Sequence, residues 1–351
     1  MTDDELQEIE KAAAELARKA GGLLLEYFTR PLEVTYKSPN NRSPVTDADR
    51  ASDDYLRGEI LRRFPDHTVL SEETSDDSDV RSRVTWVVDP LDGTNNFMNG
   101  LPVFGVSIGV IEDARPVVGA IFLPSIRNPD GNVFHARLNG GAKRDGVPLA
   151  LERTGVPGNN LLAALPAYFW RMYGVRPPLR GSLGEVRSTG SIAFELGMVS
   201  QGVFQYALFN GPKLWDVAGG VVLVREAGGS VLVRQGRTRR WHELERFQVP
   251  QASDLPTHGE LRDWRATLVL GSPEAASFVA TGLQPRTYRF RRLWRQVKRL
   301  FQRSAPAAQA GAGQSSTADD TAPGGGRGPD AEASPWPGAP LDGGARSERS
   351  S

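Results

Sequence analysis

Two carboxylates, Asp89 and Asp92, stand three residues apart around Pro90 at the end of the apolar run Trp86–Val88. Gly93, Thr94 and Asn95 follow at once, residues suited to a tight turn and the start of a helix. Acids at a strand end offer oxygens to a hard cation, and a helix start beside them offers N–H groups to an anion. Metal ions plus a phosphate is the economical reading. Three other segments carry acids in comparable settings. Ser71-Glu72-Glu73 follows an apolar strand, Val45-Thr46-Asp47-Ala48-Asp49 sits at a helix start, and Trp215-Asp216-Val217-Ala218-Gly219-Gly220 opens an apolar helix. Each acid alone reads as a solvated turn or as a helix-terminal charge complementing the macrodipole. Together they match the needs of divalent ions, which take several carboxylates from different elements.

The elements that must position these acids are legible in the periodicity. Residues 3–28 read as an amphipathic helix, with Leu6, Ile9, Ala13, Leu16, Ala20, Leu23 and Tyr27 at steps of three or four. A second helix is expected from Thr46 to Phe64, with Pro65 stopping it. Strands are expected at Thr68–Leu70, Val84–Val88, Val103–Ile111, Val117–Phe122 and Asn132–Ala136, separated by turn chemistry. After a break at 154–160 the pattern restarts. Strands are expected at Leu161–Leu165, Val203–Leu208, Ser230–Val233 and Ala266–Leu270, and helices at Ser191–Ser200, Leu214–Ala227 and Pro273–Thr281. Irregular alternation of strands and helices favours layered sheets with helices.

The four acidic motifs, in this order, resemble the signatures of the inositol monophosphatase family. These are magnesium-dependent, lithium-sensitive phosphomonoesterases related to fructose-1,6-bisphosphatase. The resemblance covers roughly residues 5–282, and Asp89-Pro90-Leu91-Asp92-Gly93-Thr94 is its most specific element. It implies an α+β fold, a five-layered αβαβα sandwich, usually as a homodimer. It implies that Glu72, Asp89 and the Leu91 carbonyl bind a first Mg²⁺, that Asp89, Asp92 and Asp216 bind a second, and that Glu72 helps a weaker third. Thr94 and Asp49 are implied to form a hydrogen-bonded pair that, with Glu72, orients and deprotonates the attacking water. Asp92, Gly93, Thr94, Gly190, Ser191 and Asp216 are the implied substrate-binding positions. Such ions would neutralise a dianionic ester, acidify a water and stabilise the leaving alkoxide. Direct attack by water is expected, which fits a chain with no cysteine and four histidines.

The substrate is less determined. Inositol phosphatases usually carry a glutamate seven residues before the late aspartate, where it binds a substrate hydroxyl; here Phe209 stands there, with Asn210 beside it. Phe209 reads as core packing or as a surface on which a base could stack. Ile192 replaces a common small residue after Gly190-Ser191, Ser71 a common glycine and Asn95 a common threonine. Lys37 reads as a solvated lysine or as a loop residue helping the third metal. Phe169–Arg180, rich in arginine and aromatics, reads as a solvated loop or as a contact for a second phosphate or a nucleotide. The expected substrate is a small phosphorylated metabolite: an inositol monophosphate or related sugar phosphate. Fructose 1,6-bisphosphate, histidinol phosphate and 3′-phosphonucleotides are the alternatives.

Composition bounds the partners. The zero formal charge conceals an asymmetry: residues 286–303 hold eight Lys/Arg and no acid, and residues 304–351 three Arg against six acids, which leaves residues 1–285 at −5. A mildly acidic body argues against nucleic-acid binding by the main domain. Residues 1–285 are expected to form the catalytic domain, with 1–150 its metal-binding half and 151–285 its substrate half. Phe290, Leu293, Trp294, Val297, Leu300 and Phe301 form one apolar stripe among arginines, so 286–303 reads as a basic amphipathic helix. It would suit an anionic membrane surface or the chain's own acidic body. The Ala/Gly/Pro/Ser-rich residues 304–351 read as disordered. The acidic N-terminus and the lack of any long apolar run favour a cytoplasmic location, with peripheral contact at the inner membrane face. The non-enzyme alternative is a regulatory protein that binds membrane or RNA through 286–303.

Overall fold

The computed structural model describes residues 1–30, 34–38, 41–74, 79–151, 155–236, 240–247 and 255–286. The side chains of 36–38 and 41–44 fall outside that description, Lys37 among them, as do the amphipathic segment beyond Arg286 and the whole tail. In chain order the first half comprises α1 (Asp3–Phe28), β1 (Val34–Ser38), β2 (Asn41–Thr46), α2 (Asp47–Arg63), β3 (Thr68–Ser71), β4 (Val84–Asp92) and α3 (Thr94–Met98). Then come β5 (Gly105–Glu112), β6 (Arg115–Leu123), β7 (Asn132–Arg137), β8 (Gly141–Arg144) and β9 (Val147–Leu149). The second half opens with β10 (Leu162–Ala164), α4 (Phe169–Met172), β11 (Tyr173–Val175), α5 (Pro177–Arg180), β12 (Glu185–Arg187) and α6 (Ile192–Ser200). It continues with β13 (Phe204–Asn210), α7 (Leu214–Glu226), β14 (Ser230–Arg234), β15 (His242–Glu243) and α8 (His258–Arg262). The described part ends with β16 (Thr267–Gly271), α9 (Pro273–Gly282) and β17 (Leu283–Pro285).

Two sheets carry the architecture. β3 to β9 lie side by side in sequence order, β3 parallel to β4 and the rest antiparallel. The second sheet has the order β12-β10-β13-β16-β14-β15. Alternation along the strands assigns their faces. Trp86, Val88, Ala120 and Phe122 pack with the α1 and α2 residues Leu16, Leu24, Leu56 and Ile60. Val87, Ile121 and Leu123 point the other way, into a core shared with Leu196 of α6 and Val217 and Val221 of α7. That same core takes Ala207, Phe209 and Leu270 from the second sheet. The opposite face of that sheet, with Tyr206, Leu208 and Val269, is covered by Leu179 of α5 and by Ala276 and Val279 of α9. The result is helix, sheet, helix, sheet, helix: the five-layered α+β sandwich expected from the motifs.

The helix layers are held tightly by small residues. A Cβ on Gly119 of β6 would stand 2.0 Å from the Gly219 carbonyl oxygen of α7, so that helix rests on bare backbone. α1 begins with a capping box between Thr2 and Glu5 and buries an alanine-rich face.

Two local expectations are corrected. β4 does not stop at Val88 but runs on to Asp92, with a register shift between Asp89, opposite Ser107, and Asp92, opposite Gly105. The bulge accommodates Pro90, which has no N–H to give the ladder, and it turns the acids while pairing continues. Phe169–Arg180 is not a solvated loop. It forms α4, β11 and α5, with Phe169, Tyr173, Val175 and Leu179 buried under the second sheet.

Candidate metal and phosphate site

Glu72, Asp89 and Asp216 converge from three elements, and one carboxylate oxygen from each lies within 4.8 Å of the others. Glu72 follows β3, and its backbone N–H donates to the Val88 carbonyl of β4 at 3.1 Å. Asp89 sits in the bulge, where its Oδ1 accepts from Leu91 N at 3.1 Å. Asp216 lies in the first turn of α7, and its Oδ2 accepts from Lys213 N at 2.7 Å. Asp92, at the end of β4, accepts from the Ser191 hydroxyl at 2.7 Å and from Ala193 N–H. Gly93 takes φ +89°, and an added Cβ would stand 3.0 Å from the Val103 carbonyl oxygen, so only glycine fits the step from β4 into α3.

The pair Thr94 and Asp49 is also assembled. The Thr94 hydroxyl lies 3.2 Å from Asp49 Oδ1 and 3.1 Å from the Leu91 carbonyl oxygen. The other Asp49 oxygen accepts from Thr46 N–H at 2.8 Å and from the Thr46 hydroxyl at 2.6 Å. That capping box at the start of α2 fixes the carboxylate on its N-terminal turn. Ser52 of the same helix donates to the Pro90 carbonyl at 2.9 Å, tying α2 to the bulge.

Electrostatics separates this cluster from a decorative acidic surface. Burial first, then repulsion from Glu72, Asp92, Asp216 and Asp49, pushes the Asp89 carboxyl well above the ordinary carboxylate range. Asp216 is raised in the same way, by burial and then Asp92. Burial raises Asp92 too, against the opposing bonds from Ser191 and Ala193. Burial takes Asp49 to about 6 despite its bonds to Thr46. Converging acids that oppose one another's ionisation need positive charge among them. Converging carboxylates are the all-oxygen donors that Mg²⁺ takes, so the residues present fit that ion.

A cleft of about 370 Å³ opens beside Asp216 and Ser191. Gly190, Ile192, Phe209 and Asn210 line it. Phe209 is 4% exposed and packs in the central core, with one edge in the cleft wall. Asn96, inside the motif that runs from Asp89 to Phe97, and Glu195, which no motif indicated, also shape the region. The Asn96 amide donates to Val103 O at 2.7 Å and to Thr189 O at 2.8 Å, joining the two halves of the chain. Glu195, the one charged side chain of α6, lines the cleft. A lone acid in an otherwise apolar helix was the available signal.

The family model described as the inositol monophosphatase family matches residues 5–261. A Nus factor SuhB of Pasteurella multocida is 36% identical over 226 residues, covering 62% of this chain and 82% of its own. A fructose-1,6-bisphosphatase/inositol-1-monophosphatase of Aquifex aeolicus is 31% identical over 231 residues, covering 62% and 82%. Inositol monophosphatase 3 of Solanum lycopersicum is 34% identical over 240 residues, covering 64% and 85%. Among solved structures, an inositol monophosphatase from Anabaena superposes with TM-score 0.56 at 25% identity, covering 79% of this chain and 95% of its own.

Proposed function

The chain belongs to the inositol monophosphatase family, and from that premise we propose that it is a Mg²⁺-dependent phosphomonoesterase acting on a small phosphorylated metabolite. The observation that carries the reading is the convergence of Glu72, Asp89 and Asp216 beside the cleft. Glu72, Asp89 and the Leu91 carbonyl would hold one ion, and Asp89, Asp92 and Asp216 a second, with Glu72 assisting a third. Bound there, Mg²⁺ supplies positive charge that offsets the ester dianion, acidifies a water and stabilises the leaving oxygen.

The protein's own groups do the rest. Asp49 accepts the Thr94 hydroxyl proton, which leaves the Thr94 oxygen free to accept from a water and aim it at phosphorus. As the water oxygen forms its bond to phosphorus, its proton passes to the Thr94–Asp49 pair with Glu72 adjacent, and the ester P–O bond breaks with its electron pair on the leaving oxygen, which takes up a proton from solvent water. Ser191 keeps Asp92 turned inward. The Gly93 and Thr94 N–H groups are the proposed donors to the phosphate oxygens. An inositol monophosphate or related sugar phosphate remains the favoured ester, with fructose 1,6-bisphosphate, histidinol phosphate and 3′-phosphonucleotides as alternatives. The test is phosphate release from these esters with and without Mg²⁺. Turnover that needs Mg²⁺ and is lost in Asp89→Asn supports the reading; no turnover of any of them sinks it.

A second reading rests on the 36% identity to a Nus factor SuhB. Complementation of a strain lacking its SuhB, by wild type and by Asp89→Asn, separates a Nus-factor role from catalysis. A homodimer, read by sedimentation, and contact of residues 286–303 with anionic lipid, read by liposome binding, complete the proposal. Among the described residues no helix is long and apolar enough to cross a membrane.

A further inference from the structure

The cleft beside Asp216 is mostly apolar, with Pro166, Ile192, Leu208, Phe209 and Pro212 in its wall. The Phe209 ring in that wall offers a ligand hydroxyl nothing to bond. Glu195 brings a carboxylate into the same lining from α6, one turn beyond Ser191. It is only 7% exposed. The Thr189 N–H donates to its Oε1 at 3.0 Å and the Thr189 hydroxyl to that same oxygen at 2.8 Å. Oε2 takes no protein donor among the described residues. A carboxylate oxygen without a protein donor, on a residue lining the cleft, is open to a hydroxyl donor from a ligand.

We infer that Glu195 is a specificity-determining residue whose Oε2 accepts a hydrogen bond from a hydroxyl of the substrate's leaving group. The site would therefore select phosphate esters of hydroxylated small molecules over simple aryl or alkyl phosphates. This inference rests on the phosphomonoesterase reading for its substrate, but Glu195 can be probed separately. The rival role is structural: Glu195 would merely hold the Thr189 turn, and with it Gly190 and Ser191.

The experiment uses the full chain in Mg²⁺, with myo-inositol 1-phosphate and hydroxyl-free phenyl phosphate as the two probes. Wild type, Glu195→Gln and Glu195→Ala are titrated by calorimetry, which reads binding and hydrolysis together. In Glu195→Gln the amide oxygen can still receive Thr189 while an NH₂ replaces Oε2. The expected result is Kd and KM for myo-inositol 1-phosphate raised about 10- to 100-fold, with phenyl phosphate changed less than about twofold. Equal weakening of both esters, or no change in either, overturns the inference. If wild type hydrolyses neither ester, the phosphatase reading fails. The two binding constants still decide the role of Glu195, and a wild type that does not prefer the hydroxylated ester overturns it.

Discussion

The Ser191 hydroxyl donates to the Asp92 carboxylate over 2.7 Å, joining two residues 99 positions apart in the chain. Ser191 also caps α6 by accepting from Phe194 N at 3.1 Å. One side chain therefore starts the helix that lines the cleft and turns a candidate metal ligand inward. Ser191→Ala should cost about 1–2 kcal/mol of stability, through the lost cap and a buried carboxylate oxygen left short of a donor. Urea denaturation reads that loss. Mg²⁺ affinity should also fall about 10-fold, because Asp92 loses the partner that orients it.

In the proposed mechanism Asp49 acts through Thr94, whose hydroxyl lies 3.2 Å from its Oδ1, rather than by holding metal. Asp49→Asn should lower kcat by about 10²- to 10⁴-fold with little change in KM, because an amide cannot take up a proton in the reaction. A KM that rises while kcat holds would assign Asp49 to binding instead.

Neighbouring glycines of α1 offer an internal control on packing. A Cβ on Gly21 would lie 2.1 Å from the ring of Phe122, whereas one on Gly22 meets nothing within 4 Å. Gly21→Ala should destabilise by about 1–3 kcal/mol through overpacking against the first sheet. Gly22→Ala should stabilise by about 0.5–1 kcal/mol, because a helical glycine gives up more backbone entropy than alanine. Opposite shifts in the urea midpoint are the expected readout.

Glu10 of α1 meets His135 at 2.7 Å, with Lys143 at 3.5 Å and Arg137 at 3.6 Å. Burial alone would raise its carboxyl, but the His135 bond and the three positive neighbours outweigh burial and hold it below the ordinary value. A depressed folded-state pKa stabilises the fold above the unfolded-state pKa, and that contribution fades as pH falls through the folded-state value. The stability advantage of wild type over Glu10→Gln should therefore be full near pH 6 and shrink towards pH 3. Denaturation at several pH values checks the sign.

Much of this was legible from local pattern, because α1 and α2 each bury one periodic stripe, α7 is apolar almost throughout, and the acids sit at helix starts or near strand ends. What stayed hidden depends on contacts between distant residues. Pro90 reads locally as a turn, yet pairing of Asp89 and Asp92 across to β5 keeps the strand going through a bulge. Phe169, Tyr173 and Leu179 are interleaved with arginines, so their burial shows only once β16 and α9 are in place. The short hairpin β8–β9 has too few residues to establish a period. Glu195 stands out locally as a lone acid in an apolar helix, but only the packed fold brings it into the cleft wall.

The metal cluster predicts an inversion in stability. Asp89 is 2% exposed, and its neighbours Glu72, Asp92, Asp216 and Asp49 all oppose its charge. With EDTA, Asp89→Asn should be at least as stable as wild type, since the amide removes a buried charge that only a cation would offset. Adding Mg²⁺ should raise the wild-type stability by about 2.7 kcal/mol at a concentration about 100 times its Kd, because the ion binds the folded state alone. The variant, lacking the carboxylate shared by both proposed ions, should gain far less. Thermal melts of the two proteins in EDTA and in Mg²⁺ would then cross, wild type ranking higher only with metal present. Melts that keep one order in both conditions would mean that Asp89 does not hold the ions.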